Sequence, residues 1–114
     1  MRRYLLFLLV ALGSCSKGPE TDLQYISQAR SLTAELALIN EQASEGKLTA
    51  TYANVMREDL REQLQTTAKS LTQPDSRYAQ EINAVLAMPD DASPAELRRH
   101  SDQLKQIEDA LESA

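Results

Sequence analysis

Tryptophan is absent from this chain, histidine and cysteine occur once each, and glycine occurs only three times. Each scarcity removes a class of chemistry. One thiol and one imidazole cannot make a zinc set of the CxxC or HExxH kind, and neither spacing occurs. There is no EF-hand loop and no glycine-rich phosphate loop. A Ser–His arrangement would rest on His100 alone, so the inventory argues against an enzyme, and no cofactor or metal is expected. Aromatics are also few. Tyr4 and Phe7 fall near the start, leaving Tyr25, Tyr52 and Tyr78, so any core must be aliphatic.

What the chain has in quantity is Ala, Leu, Glu, Gln, Lys and Arg, the residues that lose least on entering a helix. Its 114 residues suit one domain. Acidic residues outnumber basic ones seventeen to twelve. Without residues 1–14, which carry Arg2 and Arg3, ten basic residues face seventeen acidic ones, a net charge of −7. That balance repels phosphate backbones and gives no basic face for anionic lipid, so nucleic acid is not an expected partner.

The first fifteen residues are the most informative. Arg2 and Arg3 open the chain, Tyr4 to Leu12 (YLLFLLVAL) is an unbroken apolar run, and Gly13 and Ser14 precede Cys15. A charged start, a short apolar run and small residues are the parts of an export signal. The run is about half the roughly 20 residues that a spanning helix needs. A lone cysteine in an exported chain has no internal disulfide partner and needs another explanation.

Leu12-Gly13-Ser14-Cys15 resembles the lipobox of bacterial prolipoproteins, an aliphatic residue and two small ones before the cysteine. The resemblance covers this leader alone. It implies cleavage between Ser14 and Cys15, a diacylglyceryl group on the Cys15 sulfur and acylation of the freed amine, with chains of the palmitate kind. Each buried methylene contributes about 0.8 kcal/mol, so one chain holds marginally and two or more hold stably. Ser16 stands where the class's inner-membrane retention signal is aspartate, which implies the outer membrane, on its periplasmic side.

The expected organisation is a removed signal peptide at 1–14, a lipidated cysteine with a flexible tether at 15–21, and a helical domain at 22–114. Ser16 to Thr21 (SKGPET) contains Gly18 and Pro19 and no apolar residue. Its root-mean-square reach is roughly 13 Å, so the domain should sit close to the bilayer.

Hydrophobic periodicity then predicts four helices. Thr21 or Asp22 caps the first, and Ile26, Ala29, Leu32, Leu36, Ile39 and Ala43 form one stripe that Gly46 stops. Thr49 or Thr51 caps the second, whose stripe is Tyr52, Met56, Leu60, Leu64, Thr67 or Ala68, and Leu71, with Pro74 ending it. The connection is short enough to impose an antiparallel hairpin, and the stripes match about the turn, Ala43 with Tyr52 through to Ala29 with Thr67. A third helix over 76–87 places Tyr78, Ile82, Val85 and Leu86 inward. Ser93-Pro94-Ala95-Glu96 starts the fourth, with a seam of Leu97, His100, Leu104, Ile107, Leu111 and Ala114. The expected fold is all-α: a hairpin, a short helix and a C-terminal helix in a small three- to four-helix bundle, the seam buried within the molecule.

A few side chains stand out within this frame. His100 lies on the fourth seam with Glu96 one turn earlier. It reads either as a pH sensor at a helix contact or, more plainly, as a half-exposed residue with a nitrogen in water. Arg57-Glu58-Asp59-Leu60-Arg61-Glu62 sets five charges around one core leucine and reads as a solvated face, with Glu58 and Arg61 able to pair. Tyr52 and Tyr78 read as edge-of-core residues with wet hydroxyls, and Tyr25, off the stripe, as an exposed contact. The chain ends Glu112-Ser113-Ala114, without the terminal lysine of the major murein-linked lipoprotein, so that role is not expected.

These features favour a membrane-anchored structural or adaptor module that recognises another envelope protein. Two alternatives are a carrier of a small apolar ligand or lipid, and a lysis or exclusion lipoprotein of the phage or plasmid type.

Overall fold

Side-chain caps and a glycine turn define where the chain becomes helical. The computed structural model describes residues 20–114, which form four helices and no strand: α1 Leu23–Ser44, α2 Ala50–Lys69, α3 Arg77–Leu86 and α4 Pro94–Glu112. The leader, Ser14, Cys15 and the tether up to Pro19 lie outside the described residues. Thr49 Oγ1 accepts the Tyr52 N–H, Ser76 Oγ the Ala79 N–H and Ser93 Oγ the Glu96 N–H, each using a donor left over in a first helical turn. Pro94 at the start of α4 needs no N–H there.

The end of α1 is a Schellman turn. The Gly46 N–H donates to Ala43 O and the Lys47 N–H to Gln42 O, with Gly46 at φ +74°. Glycine takes that left-handed backbone without the Cβ penalty, and the chain reverses into α2 within five residues.

The first helix is the centre of the bundle. It packs along α2 on one side and along α4 on the other, while among the described residues α2 and α4 do not pack against each other. The short α3 touches both and closes the space between them. The core is aliphatic: Ile26, Leu36, Leu60, Leu64, Ile82, Val85, Leu97 and Leu104 are buried, each contributing roughly 1.5–3 kcal/mol. Ala29, Thr33 and Ala37 keep α1 slender, and Ser101 of α4 comes near enough for its Oγ to donate to the main-chain oxygen of Arg30.

The all-α bundle follows the periodicity, with two corrections. The buried strip of α1 is wider than the predicted stripe and includes Thr33, Ala37 and Asn40, because α1 serves two partner helices rather than one. At the start of α2 the inward position belongs to Ala53, and Tyr52, one residue earlier, is 52% exposed. Ala53 shares its face with the buried Leu60, Leu64 and Thr67, seven, eleven and fourteen residues on, and Tyr52 lies about 100° away from it around the helix. The α4 seam is buried inside the molecule at Leu97, Leu104 and Ile107.

Candidate interaction face

Three polar anchors connect elements distant in sequence, and they take up Arg57, Arg61 and Tyr78. The first is Asp22. It stands at the start of α1 yet makes no side-chain cap there. Its carboxylate accepts the Thr72 N–H at 2.9 and 3.1 Å, the Gln73 N–H at 3.3 Å and the Tyr78 hydroxyl at 2.6 Å. Tyr78 is therefore buried with its hydroxyl on a carboxylate, not in water. Burial, and then the bond to Asp22, push its hydroxyl up to about 12 from an ordinary 10.0, while Ser76 acts in the opposite sense.

The second anchor is Asn40. Its buried amide donates to the main-chain oxygens of Asp90 and Ala92, at 3.1 and 2.9 Å, and accepts from Arg57 Nε at 2.7 Å. The third is Arg61. One guanidinium nitrogen donates to Leu86 O, a carbonyl left over at the C-terminus of α3, and to Met88 O of the following turn, at 2.6 and 2.8 Å. Nε lies 3.5 Å from the Asp90 carboxylate, and Nη1 is buried without a partner. Arg61 thus turns toward the α3–α4 loop, and the predicted Glu58–Arg61 pair does not form. Beside it, a cleft of about 600 Å³ is lined by Arg57, Glu58, Glu62, Gln65 and Asp90, so both signs of charge meet there.

His100 pairs with a different acid than expected. Its Nδ1 lies 2.8 Å from Glu81 Oε1 of α3, not on Glu96 of its own helix, and both side chains are largely buried. Tyr25 is half-buried rather than an exposed contact. Glu108, Asp109 and Glu112 bring three carboxylates together near the end of α4. Arg30 holds Glu108 and Lys105 holds Asp109, so two of the three carboxylates already have a cation from the protein itself.

What remains free lies on the outer side of the α1–α2 hairpin, away from α3 and α4. A groove of about 460 Å³ runs between the two helices, walled by Ser27, Gln28 and Ser31 of α1 and Gln63 and Thr66 of α2, with Leu32 and Thr67 deeper. Every one of these residues is uncharged. The strips continue toward the turn as apolar residues. Leu38 follows Ser31 by two turns, and Tyr52 and Val55 precede Gln63 and Thr66 by three turns each. All three are about half exposed, at 47%, 52% and 59%.

Charge on the hairpin is sorted by the fold. Arg30, Arg57 and Arg61 reach Glu108, Asn40 and the α3–α4 loop. Glu35, Glu58, Asp59 and Glu62 form no ion pair among the described residues. The outer face therefore carries a neutral groove, apolar studs and the acids Glu35 and Asp59, while Glu58 and Glu62 line the cleft that holds Arg57 and Arg61. Periodicity marks which residues face outward, but it does not reveal that the arginines are taken up on the other side.

Among the described residues, no helix is long and apolar enough to cross a membrane. No protein-family model, curated protein or solved structure matches this chain.

Proposed function

We propose that this chain is a lipid-anchored, non-catalytic module of the bacterial cell envelope, held through acylated Cys15 at the periplasmic side of the outer membrane, where it binds another envelope protein. The observation that carries the reading is Leu12-Gly13-Ser14-Cys15 directly after the apolar run Tyr4–Leu12. The fold is compatible with it, since Asp22, the first buried residue among the described ones, follows Cys15 by only seven residues. A fully extended chain covers about 3.5 Å per residue, so the bundle would stand within about 25 Å of the lipid. A tethered module gains high local concentration, and even a weak contact then suffices for binding. An open neutral groove beside unpaired acids supplies a surface for such a contact. Both clefts are open and lined mainly by polar or charged side chains, with Leu32 the apolar residue of one and Leu86 that of the other, whereas a carrier of an apolar ligand needs an apolar enclosure.

Mass spectrometry of the native product tests the anchor. A chain beginning at Cys15 with two or three acyl groups is expected, and Cys15→Ser should abolish acylation and membrane association. A chain retaining residues 1–14 without acyl groups would overturn the location and the anchoring together. Crosslinking in intact cells tests the adaptor role by the capture of a defined envelope protein.

A further inference from the structure

We infer that the outer face of the α1–α2 hairpin binds a basic amphipathic helix of a partner protein. The inference names the partner class for the interaction role proposed above and does not depend on the lipid anchor. Two helices lying side by side present a groove into which a third can settle, and small side chains along it allow close approach. Ser27, Ser31 and Thr66 give the groove that shape, and its uncharged walls impose no penalty for stranding a charge. From Ser27 to Leu38 the strip rises about 16 Å, three helical turns, enough for apolar anchors at i, i+3 or i+4, and i+7. The studs for such anchors are Leu38, Tyr52 and Val55, the large apolar residues that the described surface leaves exposed.

Charge selects the partner's sign. The hairpin's arginines are turned away from this groove, so the outer face offers Glu35 and Asp59, neither of them in an ion pair among the described residues, while Glu58 and Glu62 face Arg57 and Arg61 across the neighbouring cleft. Two copies of this face would repel each other, which disfavours self-association, whereas a helix with Lys or Arg flanking an apolar stripe complements it.

The probe is a fluorescein-labelled 18-residue peptide with leucines at i, i+3 and i+7 spacing and lysines elsewhere, set against a counterpart with glutamate for lysine. Binding is read by fluorescence anisotropy on the full-length chain in zwitterionic nanodiscs, with empty discs subtracted. The lysine peptide should bind and the glutamate peptide should not. A Leu38→Ala, Val55→Ala double variant should weaken binding about tenfold, since truncated anchors of an interface typically lose on that order. Glu35→Lys with Asp59→Lys should weaken it about fivefold or more, whereas Asp102→Lys on exposed α4 should change it less than about twofold. All these positions are exposed, and unchanged melting would confirm intact folding. Four results would overturn the inference: equal binding of both peptides, equal loss from Asp102→Lys, no loss in the double variant, or self-association abolished by that variant.

Discussion

The Tyr78 hydroxyl donates to Asp22 Oδ2 at 2.6 Å across 56 residues of sequence, joining the first turn of α1 to the first turn of α3. The same carboxylate takes main-chain N–H groups of Thr72 and Gln73, so one side chain ties the start of the domain to the loop between α2 and α3. If the chain is anchored at Cys15, Asp22 is also where a pull on the tether first meets the fold. Buried acceptors of several hydrogen bonds are costly to remove because their donors are left unsatisfied. Asp22→Ala should cost about 3 kcal/mol in urea unfolding, and Tyr78→Phe, which leaves the two N–H partners in place, about 1 kcal/mol. An Asp22→Ala variant as stable as the parent would show that water replaces the carboxylate without loss.

The raised Tyr78 hydroxyl predicts an alkaline limit to stability. Its folded value of about 12 lies above the ordinary 10.0, so its contribution is fully present below pH 10 and disappears as the pH rises through 12. Two units correspond to on the order of 3 kcal/mol. Urea midpoints should fall between pH 10 and 12, in step with phenolate absorbance. In Tyr78→Phe this segment of the profile should flatten.

Arg61 holds the end of α3 and the turn after it by main-chain oxygens, which no carboxylate on α2 could do. Arg61→Ala should cost about 2 kcal/mol, because Leu86 O and Met88 O lose a charged donor. The loss should appear locally, as faster amide exchange in α3 than in α1. Arg61→Lys should recover part of it, having one charged head in place of a planar fork.

Asn40 works only as an amide. In Asn40→Asp a carboxylate oxygen would face the main-chain oxygens of Asp90 and Ala92 at hydrogen-bond distance, with no proton between them. Destabilisation of about 2–3 kcal/mol is expected, with the 87–93 loop loosened first, even though Arg57 would gain a charged acceptor. Chemical shifts of Asp91 and Ala92 in the folded variant provide the measurement.

The His100–Glu81 contact joins α3 to α4 and should behave as a real pair. A double-mutant cycle of His100→Leu and Glu81→Leu should give a coupling of about 1 kcal/mol at neutral pH. Additive effects would mean that His100 acts only by packing.

Much of the architecture was legible because the information is local. The repeats of Leu and Ile at three and four, the caps at Thr49 and Ser93, and Gly46 each act within a turn or two of their own position. The pairing of polar side chains was not legible, because it depends on which helix lies opposite. Glu96 lies one turn from His100 on the same helix, yet the acid that meets the ring is Glu81 of α3. Asp22 looks like a helix cap until the loop around Thr72 folds over it.

The sequence by itself determined a helical chain, its breaks, its aliphatic core and an acidic surplus, because periodicity and capping are written in neighbouring residues. It also carries the lipobox-like leader, whose expectations concern the chain before folding. Only the tertiary structure decided that α1 is the shared centre, that Tyr78 and Asn40 are buried partners, and that the arginines of the hairpin turn inward. The physical reason is that a long side chain sweeps a wide arc around its helix. Which partner it finds within that arc is set by the packing of the helices against each other, not by its place in the chain.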